Sequence, residues 1–388
     1  MTADVLLLLT GRVLRAFGFG FGAVLLGLHL ERRGLGPSSI GLALTVGVLA
    51  AALTGLLAAE LSRRFGRRRV LAGIGLAMAV TGGILAASTN PVLLVLAGAT
   101  GMLGAAGLDV GPFLSVEQPM LAESVAGGRR NLAFARYSLS GALAGAAGGF
   151  AATLATRSGS QAAFFAGFAL LGLATAVLPL FLSARVEAGP AGGARFEVRP
   201  ILGLAALFGL DAVGGGFIAN AVIAYWLHAR FGVGAGVLGP AFAAIGLLQA
   251  AAYEVSGRLA NRIGLVNTMV FTHLPSNVLL LLVPFSPSLG WALALLLARF
   301  SMSQMDVPAR QAYIVSIVPP AHRASAVATT GAVRGIGQAA GPLLSGLAIQ
   351  AALFGVPFFA AGTLKIVYDL GLYAGFRRRR AEHETHSG

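Results

Sequence analysis

The chain has 388 residues, of which 56% are hydrophobic and only 11% are charged, which is too little charge to cover a soluble domain of this size. Its 55 glycines suit helices that pack closely in a bilayer, because small residues let two backbones approach. The absence of cysteine excludes disulfides and thiolate metal sites, and the net charge of +14 lies in short basic clusters between apolar segments rather than on one face for nucleic acid.

Twelve apolar segments are long enough to cross the hydrocarbon core of a bilayer, which takes about 20 residues. In chain order, the predicted spans cover residues 4–29, 38–61, 70–89, 91–116, 132–156, 161–183, 200–228, 236–256, 266–285, 288–308, 325–350 and 355–376. The predicted fold class is therefore an all-α polytopic membrane protein with 12 transmembrane helices. We expect no cleavable signal peptide, because the first apolar stretch is long enough to span.

The distribution of arginines predicts the orientation of these spans. The segment SRRFGRRRVL at 62–71 carries five arginines between two apolar spans. If the N-terminus is cytoplasmic, this segment and most other arginines of the loops fall on the inner side. The positive-inside rule then places both termini in the cytoplasm. We expect a multi-pass protein of the cytoplasmic (inner) membrane.

The sequence contains a weak internal repeat. Residues 117–136 can be aligned with residues 310–329, which places Gln118 opposite Gln311. Weak similarity between two halves of six spans is typical of transporters built from a repeated bundle. The predicted domains are an N-terminal six-helix bundle at 1–183, a cytoplasmic linker at 184–199, a C-terminal six-helix bundle at 200–376 and a cytoplasmic tail at 377–388.

Two loops of this repeat resemble the loop signature of the major facilitator superfamily, Gly-x-Leu-Ala-Asp-Arg-x-Gly followed by basic residues. The second copy is GRLANRIG at 257–264, with Asn261 at the aspartate position. The first copy, AELSRRFGRRRVL at 59–71, has Arg63 there and is similar at Leu61, Arg64, Gly66, Arg67 and Arg68. In that family the aspartate helps to latch the two halves in the outward-open state. The resemblance therefore implies alternating access between two bundles, with a latch of different construction.

A second resemblance concerns the drug/proton antiporters of this family, which carry the pattern Gly-x-x-x-Gly-Pro-x-x-Gly-Gly in the fifth span. The chain has GALAGAAGG at 141–149, which lacks the proline, and a closer match, GQAAGPLLSG, at 337–346 in the eleventh span. The alternative interpretation of both segments is close helix packing through small residues.

Charged residues near the inner ends of the spans predict a cytoplasmic gate. In this interpretation the carboxylates of Asp109, Glu117 and Asp306 form ion pairs with loop arginines such as Arg64 or Arg67 when the gate closes. The residues expected to take part in gating are Arg64, Gly66, Arg67, Glu117, Asn261, Arg262, Gly264 and Arg310.

Ionisable residues at membrane depth normally face a cavity or a partner. The candidate substrate-binding and ion-binding residues are Arg15, Asp109, Asp211, Arg299, Ser303, Asp306, Arg334 and Gln338. The family resemblance implies that spans one, four, seven and ten line the central cavity, which includes the spans of Arg15, Asp109, Asp211 and Arg299.

Two spans carry polar residues at helical spacing. On the tenth span, one polar stripe is predicted at i, i+4, i+7 and i+11 by Arg299, Ser303, Asp306 and Arg310. On the eleventh span, Arg334 and Gln338 begin a similar stripe. Each stripe either lines the substrate path or forms hydrogen bonds and ion pairs between helices. On the ninth span, a local kink is predicted by His273, Pro275 and Asn277.

Asp211, near the midplane of the seventh span, is the predicted proton-coupling carboxylate, because movement of cargo or gate could change its surroundings and release its proton. The alternative is a permanent salt bridge to Arg15 or Arg299. On the last span, Lys365 and Asp369 are four residues apart, which predicts an internal ion pair.

These features predict a secondary active transporter of a small organic solute, namely a proton-coupled exporter of amphipathic, drug-like compounds that uses a proton gradient and no cofactor. Basic residues at membrane depth outnumber Asp211, so a transporter of organic anions or phosphorylated solutes is the alternative. A lipid flippase or scramblase is an alternative from another class. The sequence shows no metal-ligand spacing and no nucleophile constellation, so we do not expect an enzyme. The expected partners are a small-molecule substrate and the lipid bilayer, without nucleic acid, and the chain is expected to be a monomer.

Overall fold

The computed structural model describes residues 3–103, 112–124, 130–157, 161–187, 201–317 and 323–377. In these residues the chain is helical and contains no strand. The helices are α1 (Ala3–Arg32), α2 (Pro37–Phe65), α3 (Arg67–Ala87), α4 (Pro91–Leu96), α5 (Pro112–Glu123), α6 (Arg130–Ala151), α7 (Leu154–Arg157), α8 (Gln161–Val177), α9 (Leu202–Phe217), α10 (Asn220–Phe231), α11 (Ala235–Ile263), α12 (Leu265–Leu282), α13 (Leu289–Phe300), α14 (Asp306–Ser316), α15 (Arg323–Gln350) and α16 (Val356–Phe376).

Each of the twelve predicted spans coincides with at least one of these helices. In the part of the chain that the structure describes, seven helical segments are long and apolar enough to cross a membrane. They are Ala3–Arg32, Pro37–Ser62, Arg67–Ala87, Gln161–Phe181, Leu202–Phe231, Ala235–Ala260 and Leu265–Phe285. These helices confirm the prediction of an all-α polytopic membrane protein. A helix suits such a segment, because a chain that crosses lipid must satisfy its own backbone hydrogen bonds.

The seventh and tenth predicted spans, which carry candidate site residues, are interrupted rather than continuous. The seventh consists of α9 and α10, separated at Ile218 and Ala219, and the tenth consists of α13 and α14, separated by turns over residues 301–305. In those turns Met302 donates its backbone N–H to Arg299 at 3.1 Å, a bond three residues back rather than four. The prediction of one continuous helical stripe is therefore wrong. All four of its side chains are nevertheless buried, namely those of Arg299, Ser303, Asp306 and Arg310.

The two signature loops share one backbone conformation. Gly66 joins α2 to α3 with φ 86° and ψ 147°, and Gly264 joins α11 to α12 with φ 86° and ψ 163°. A residue with a side chain is strained at such a positive φ, so glycine is favoured at both positions. The shared conformation agrees with the internal repeat inferred from the sequence.

Contacts between Cα atoms divide the chain into two compact units. The first unit comprises Met1–Ala191, Ala219–Gly246 and Pro342–Ala352, and the second comprises Gly192–Ile218, Leu247–Gly341 and Leu353–Gly388. In the first unit α1 packs against α6, and α3 packs against α8. In the second, α16 packs against α9 and α12. The domain boundaries derived from the sequence repeat stay predictions.

Glycines allow close approach of helix backbones within each unit. In the first unit, a Cβ atom on Gly20 or Gly148 would overlap backbone atoms of the facing helix, so α1 and α6 need glycine there. In the second unit, Gly216 of α9 and Gly341 of α15 face each other in the same way. The two Gly-rich segments therefore serve helix packing at these positions, as their alternative interpretation predicted.

Candidate functional site

The first unit contains a buried ion pair between α1 and α5. Arg15 Nη2 donates to Oε2 of Glu117 at 2.5 Å, and both side chains are 4% exposed. The same oxygen accepts a hydrogen bond of 2.5 Å from the Tyr137 hydroxyl of α6. The guanidinium carbon of Arg15 lies 4.0 Å from the ring centre of Phe113. Gly11, one turn earlier, leaves room for this guanidinium, because a Cβ atom there would lie 2.9 Å from Nη1.

Glu117 pairs with Arg15, so the ion pair with Arg64 or Arg67 that is predicted to form when the gate closes is not made in this structure and stays a prediction. Glu117 lies on the buried side of α5 and faces α1, whereas Arg64 pairs with Glu60 in an exposed position. The backbone N–H of Arg67 donates to Glu187 Oε2 at 2.7 Å. Glu187 thereby supplies the acceptor at the N-terminus of α3 that the glycine before the helix lacks.

The second unit contains a larger buried group of charges centred on Asp211 of α9. Lys365 Nζ of α16 donates to Oδ1 of Asp211 at 2.6 Å, and Arg334 Nη1 of α15 donates to Oδ2 at 2.9 Å. Arg310 Nη1 of α14 lies 3.7 Å from the same Oδ2 and donates to Asp306 at 2.6 Å. The structure thus brings together Asp211, Asp306 and Arg334, which the sequence proposed as binding residues.

Helix α12 adds a histidine and an amide to this group. His273 Nδ1 lies 2.8 Å from Oδ1 of Asp369, and its Nε2 lies 3.7 Å from Oδ1 of Asp211. Asn277 Nδ2 donates to the other Asp369 oxygen at 2.8 Å. The predicted ion pair between Lys365 and Asp369 is wrong, because each side chain reaches a partner on another helix. We refer to Asp211, His273, Asp306, Arg310, Arg334, Lys365 and Asp369 as the Asp211 cluster.

Asp211 forms the salt bridges that its alternative interpretation predicted, but with other partners. Arg299 makes no ion pair with it among the described residues, and Lys365 and Arg334 occupy its two oxygens. The seventh span therefore presents Asp211 to α15 and α16.

Arg299 at the end of α13 is 4% exposed, yet it makes no ion pair with the described residues. Its Nε and Nη1 atoms have no hydrogen-bond partner among them, and its guanidinium carbon lies 4.7 Å from the ring centre of Phe300. The hydroxyl of Ser303, in the turn that follows, is also buried without a partner. The charges of Asp211 and Asp306 reach Arg299 electrostatically. A buried guanidinium with this much unused hydrogen-bonding capacity can bind an anion.

The remaining predicted residues are distributed as follows. Asp109 and the side chain of Asn261 lie outside the described part of the chain, Arg262 is exposed near the end of α11, and the backbone of Gln338 in α15 faces Gly216. His273 and Asn277 were interpreted only as a kink, although α12 runs without interruption through Pro275. The signal that could have identified them is an imidazole and an amide four residues apart on an apolar span.

The repeat relates the two groups of charges with reversed sign. In the alignment of residues 117–136 with 310–329, Glu117 falls opposite Arg310. Their partners, Arg15 and Asp211, lie on spans one and seven, which are the first spans of the two predicted halves. Each half therefore pairs its first span with the same aligned position, with acid and base exchanged.

Replacing Glu117 with glutamine is expected to lower the midpoint of thermal unfolding in detergent. The change leaves Arg15 buried without its counter-charge, which typically costs about 3–5 kcal/mol. The matched control, Glu60→Gln, breaks the exposed pair with Arg64 and should cost only about 0–1 kcal/mol. Equal midpoints for the two variants would show that the buried pair does not stabilise the first unit.

Comparison with known proteins identifies the fold. The sequence model of the Major Facilitator Superfamily matches residues 8–210 and again residues 204–388. The nucleoside transporter NupG superposes with a TM-score of 0.76 at 15% identity, over 97% of this chain and 100% of that one. The D-xylose-proton symporter superposes with a TM-score of 0.73 at 14% identity, over 96% of this chain and 98% of that one. The human organic anion transporter MFSD10 (TETRAN) superposes with a TM-score of 0.65 at 16% identity, over 95% of this chain and 98% of that one.

One curated relative also spans the chain. The Saccharomyces cerevisiae protein described as uncharacterized membrane protein YJR124C is 23% identical over an alignment 420 residues long. The alignment covers 96% of this chain and 94% of that protein. The solved structures establish the fold alone, whereas the family match covers both halves of the chain. The family and these structural neighbours are transporters, so the protein is not an enzyme. The chain is a multi-pass membrane protein that belongs to the Major Facilitator Superfamily and is a transporter of the secondary type.

Proposed function

We propose that this protein transports a small organic anion and that Arg299, with Ser303, forms the contact for the negatively charged group. The observation that carries the proposal is the buried guanidinium of Arg299, whose Nε and Nη1 atoms have no partner among the described residues. Burying an ion costs several kcal/mol unless it is paired. The planar donors of arginine match the two oxygens of a carboxylate or phosphate.

The charge balance of the second unit supports an anion as the partner. The cations near Asp211 are the buried Arg299, Arg310 and Lys365 and the partly exposed Arg334, and the buried carboxylates are Asp211, Asp306 and Asp369. Every one of these carboxylates has a partner in the Asp211 cluster. Taken together these groups carry one net positive charge when His273 is neutral, and Arg299 is the cation among them that makes no ion pair with the described residues. A substrate with a single negative charge would balance it.

The backbone beside Arg299 supports a binding role. Arg299 and Ser303 lie at the interruption between α13 and α14, where residues 301–305 form turns. Non-helical backbone at membrane depth is tolerated only where it is buried in protein or lines a cavity. Transporters commonly build their substrate sites at such broken helices. Helix geometry and unused donors thus favour the same place.

The range of cargo among structural neighbours is compatible with this proposal. One protein with the same fold is described as an organic anion transporter, and others as transporters of nucleosides and of xylose. A proton gradient is the energy source that we propose. Export of amphipathic, drug-like compounds, the cytoplasmic orientation of both termini and a monomeric state stay predictions.

A panel of matched compounds tests the proposed cargo. The anions are benzoate, benzenesulfonate and glycerol 3-phosphate, and their uncharged counterparts are benzamide, benzenesulfonamide and glycerol, with benzylammonium as the cation. We expect at least one anion, but neither its counterpart nor the cation, to raise the thermal unfolding midpoint of the purified protein. The effect should vanish in Arg299→Gln and persist in Arg32→Gln, which changes an exposed arginine at the end of α1. Stabilisation by the uncharged compounds, or an undiminished effect in Arg299→Gln, would refute the proposed anion contact.

A further inference from the structure

We infer that His273 and Asp369 form the proton-binding site of this transporter and that a proton on His273 strengthens the binding of the anion. The coupling part of this inference rests on the proposed function, whereas the proton site itself does not. The site lies on the ninth and twelfth spans, in α12 and α16, and the sequence had pointed instead to Asp211.

The imidazole of His273 lies between two carboxylates in the interior of the second unit. Its Nδ1 is 2.8 Å from Asp369 Oδ1, and its Nε2 is 3.7 Å from Asp211 Oδ1. An Nδ1–H donated to Asp369 fixes the tautomer and leaves the lone pair of Nε2 free. A proton from water can then bind Nε2, and the resulting imidazolium faces a carboxylate on each side. Release returns the proton to water, and no other bond changes.

Asp211 is poorly suited to carry the proton itself. Its two oxygens accept from Lys365 at 2.6 Å and from Arg334 at 2.9 Å. Opposite charges at such distances favour the ionised carboxylate. Imidazole, by contrast, is the side chain that ordinarily changes charge between about pH 5 and about pH 8. Among the buried groups of the Asp211 cluster, His273 is the side chain suited to gain and lose a proton.

The surroundings of His273 contain two further buried polar atoms. The Tyr368 hydroxyl and the Asn277 Oδ1 atom are fully buried, and neither has a hydrogen-bond partner among the described residues. The Tyr368 ring packs edge-on against His273, with ring centres 5.8 Å apart. A bridging water would satisfy both atoms, because buried polar groups without a protein partner normally hydrogen-bond to internal water. The other charged groups of the cluster are Asp211 on α9, Arg310 and Asp306 on α14, Arg334 on α15, and Lys365 and Asp369 on α16.

A proton on His273 adds one positive charge to the excess to which Arg299 contributes. A proton on Nε2 places a second cation beside Asp211 Oδ1, the oxygen that Lys365 already holds. The positive excess of the cluster then rises by one, in surroundings where water screens charges weakly. An anion at Arg299 is therefore bound more tightly when His273 is protonated. Tighter binding of either the anion or the proton in the presence of the other follows by linkage.

Nitrogen-15 NMR of histidine-labelled protein tests the proton site without any ligand. The chain has 6 histidines, and the signals of His273 are those lost in His273→Gln. We record them between about pH 5 and about pH 8, where imidazole ordinarily changes charge, and we expect both protonation states to occur. In Asp369→Asn the Nδ1 signal should change, because the carboxylate that Nδ1 contacts is gone. A single protonation state of His273 over the whole range would overturn the inference.

The pH dependence of anion binding tests the coupling. Benzenesulfonate is a suitable probe because it stays ionised throughout this range, so any change belongs to the protein. The concentration of benzenesulfonate that gives half of the maximal stabilisation of the wild type should be several-fold lower at about pH 5.5 than at about pH 8. The dependence should vanish in His273→Gln and persist in His228→Gln, which changes the histidine that pairs with Glu31 in the first unit.

The two measurements separate the failure of this inference from failure of the proposed function. If His273 titrates but no anion of the panel binds, the proton site stands and the proposed cargo is wrong. If benzenesulfonate binds to Arg299 with the same affinity at both pH values, the cargo stands and the coupling is wrong. Should His273→Gln fail to fold, Asp369→Asn keeps the imidazole, the histidine signals that it changes are assigned to His273, and it also reports the pH dependence of anion binding.

Discussion

The Asp211→Asn variant is expected to unfold at a markedly lower temperature than the wild type. The substitution removes the carboxylate that Lys365 and Arg334 both contact in the interior of the second unit. Breaking a buried pair by removing one partner typically costs about 3–5 kcal/mol, because a charge is left uncompensated. Thermal unfolding in detergent, followed by tryptophan fluorescence, measures the effect.

Two further variants separate the charge effect from a change of shape. Glu254→Gln breaks the exposed pair with Arg258 and should change the midpoint little, since such pairs contribute about 0–1 kcal/mol. Adding Lys365→Met to Asp211→Asn removes both charges of the closest pair and should restore part of the lost stability. A double variant that is less stable than Asp211→Asn alone would contradict this account of the cluster.

The Arg299→Leu variant is expected to behave in the opposite way, gaining stability and losing function. Arg299 is buried without an ion pair among the described residues, so replacing it with an apolar side chain removes an uncompensated charge. Comparable replacements of buried ionic groups are neutral or stabilise proteins by about 1–4 kcal/mol. The variant should unfold at the same or a higher temperature and should no longer be stabilised by any anion of the panel.

The matched control for this prediction is Arg310→Leu. Arg310 donates to Asp306 at 2.6 Å, so its removal leaves a buried carboxylate alone and should lower the unfolding midpoint. If Arg299→Leu lowered the midpoint as much as Arg310→Leu, Arg299 would have a structural partner and would not await a substrate. A gain of stability with loss of binding is the pattern expected of a residue retained for function.

The sequence was sufficient to predict the helical spans but not their interruptions. Length and hydropathy identify a span because a chain in lipid has few alternatives to a helix. The interruption of the seventh span follows three consecutive glycines, residues 214–216, which weaken a helix, and this was an available signal. The turns at 301–305 carry no proline or glycine, but Pro308 in the first turn of α14 was an available signal, because a proline inside a helix cannot bond to the residue four positions earlier.

The partners of the buried charges were harder to predict than their burial. Asp211, Arg299 and Arg334 were all predicted to lie in the interior, because ions at membrane depth avoid lipid. Which charges meet depends on the rotation of each helix about its axis, and sequence spacing does not report that. Local spacing pointed to a pair within α16, between Lys365 and Asp369, whereas contacts between helices favour α9 and α12 as their partners.

The family resemblance could predict the class of protein but not its cargo. Two signature loops and the repeat indicated a transporter of the major facilitator superfamily, and the family match confirms it. Within one fold, the substrate depends on a few side chains, so the cargo must be inferred from the site. At this site the decisive feature, a guanidinium without a partner, became visible only with the packing of the second unit.

Exchange of labelled benzenesulfonate across proteoliposomes tests the central claim most directly, because exchange requires both binding and translocation but neither a gradient nor a known direction. We expect exchange by the wild type and by Arg32→Gln. We expect none by Arg299→Leu, a variant that should fold as stably as the wild type. Undiminished exchange by Arg299→Leu would contradict the assignment of Arg299 as the anion contact.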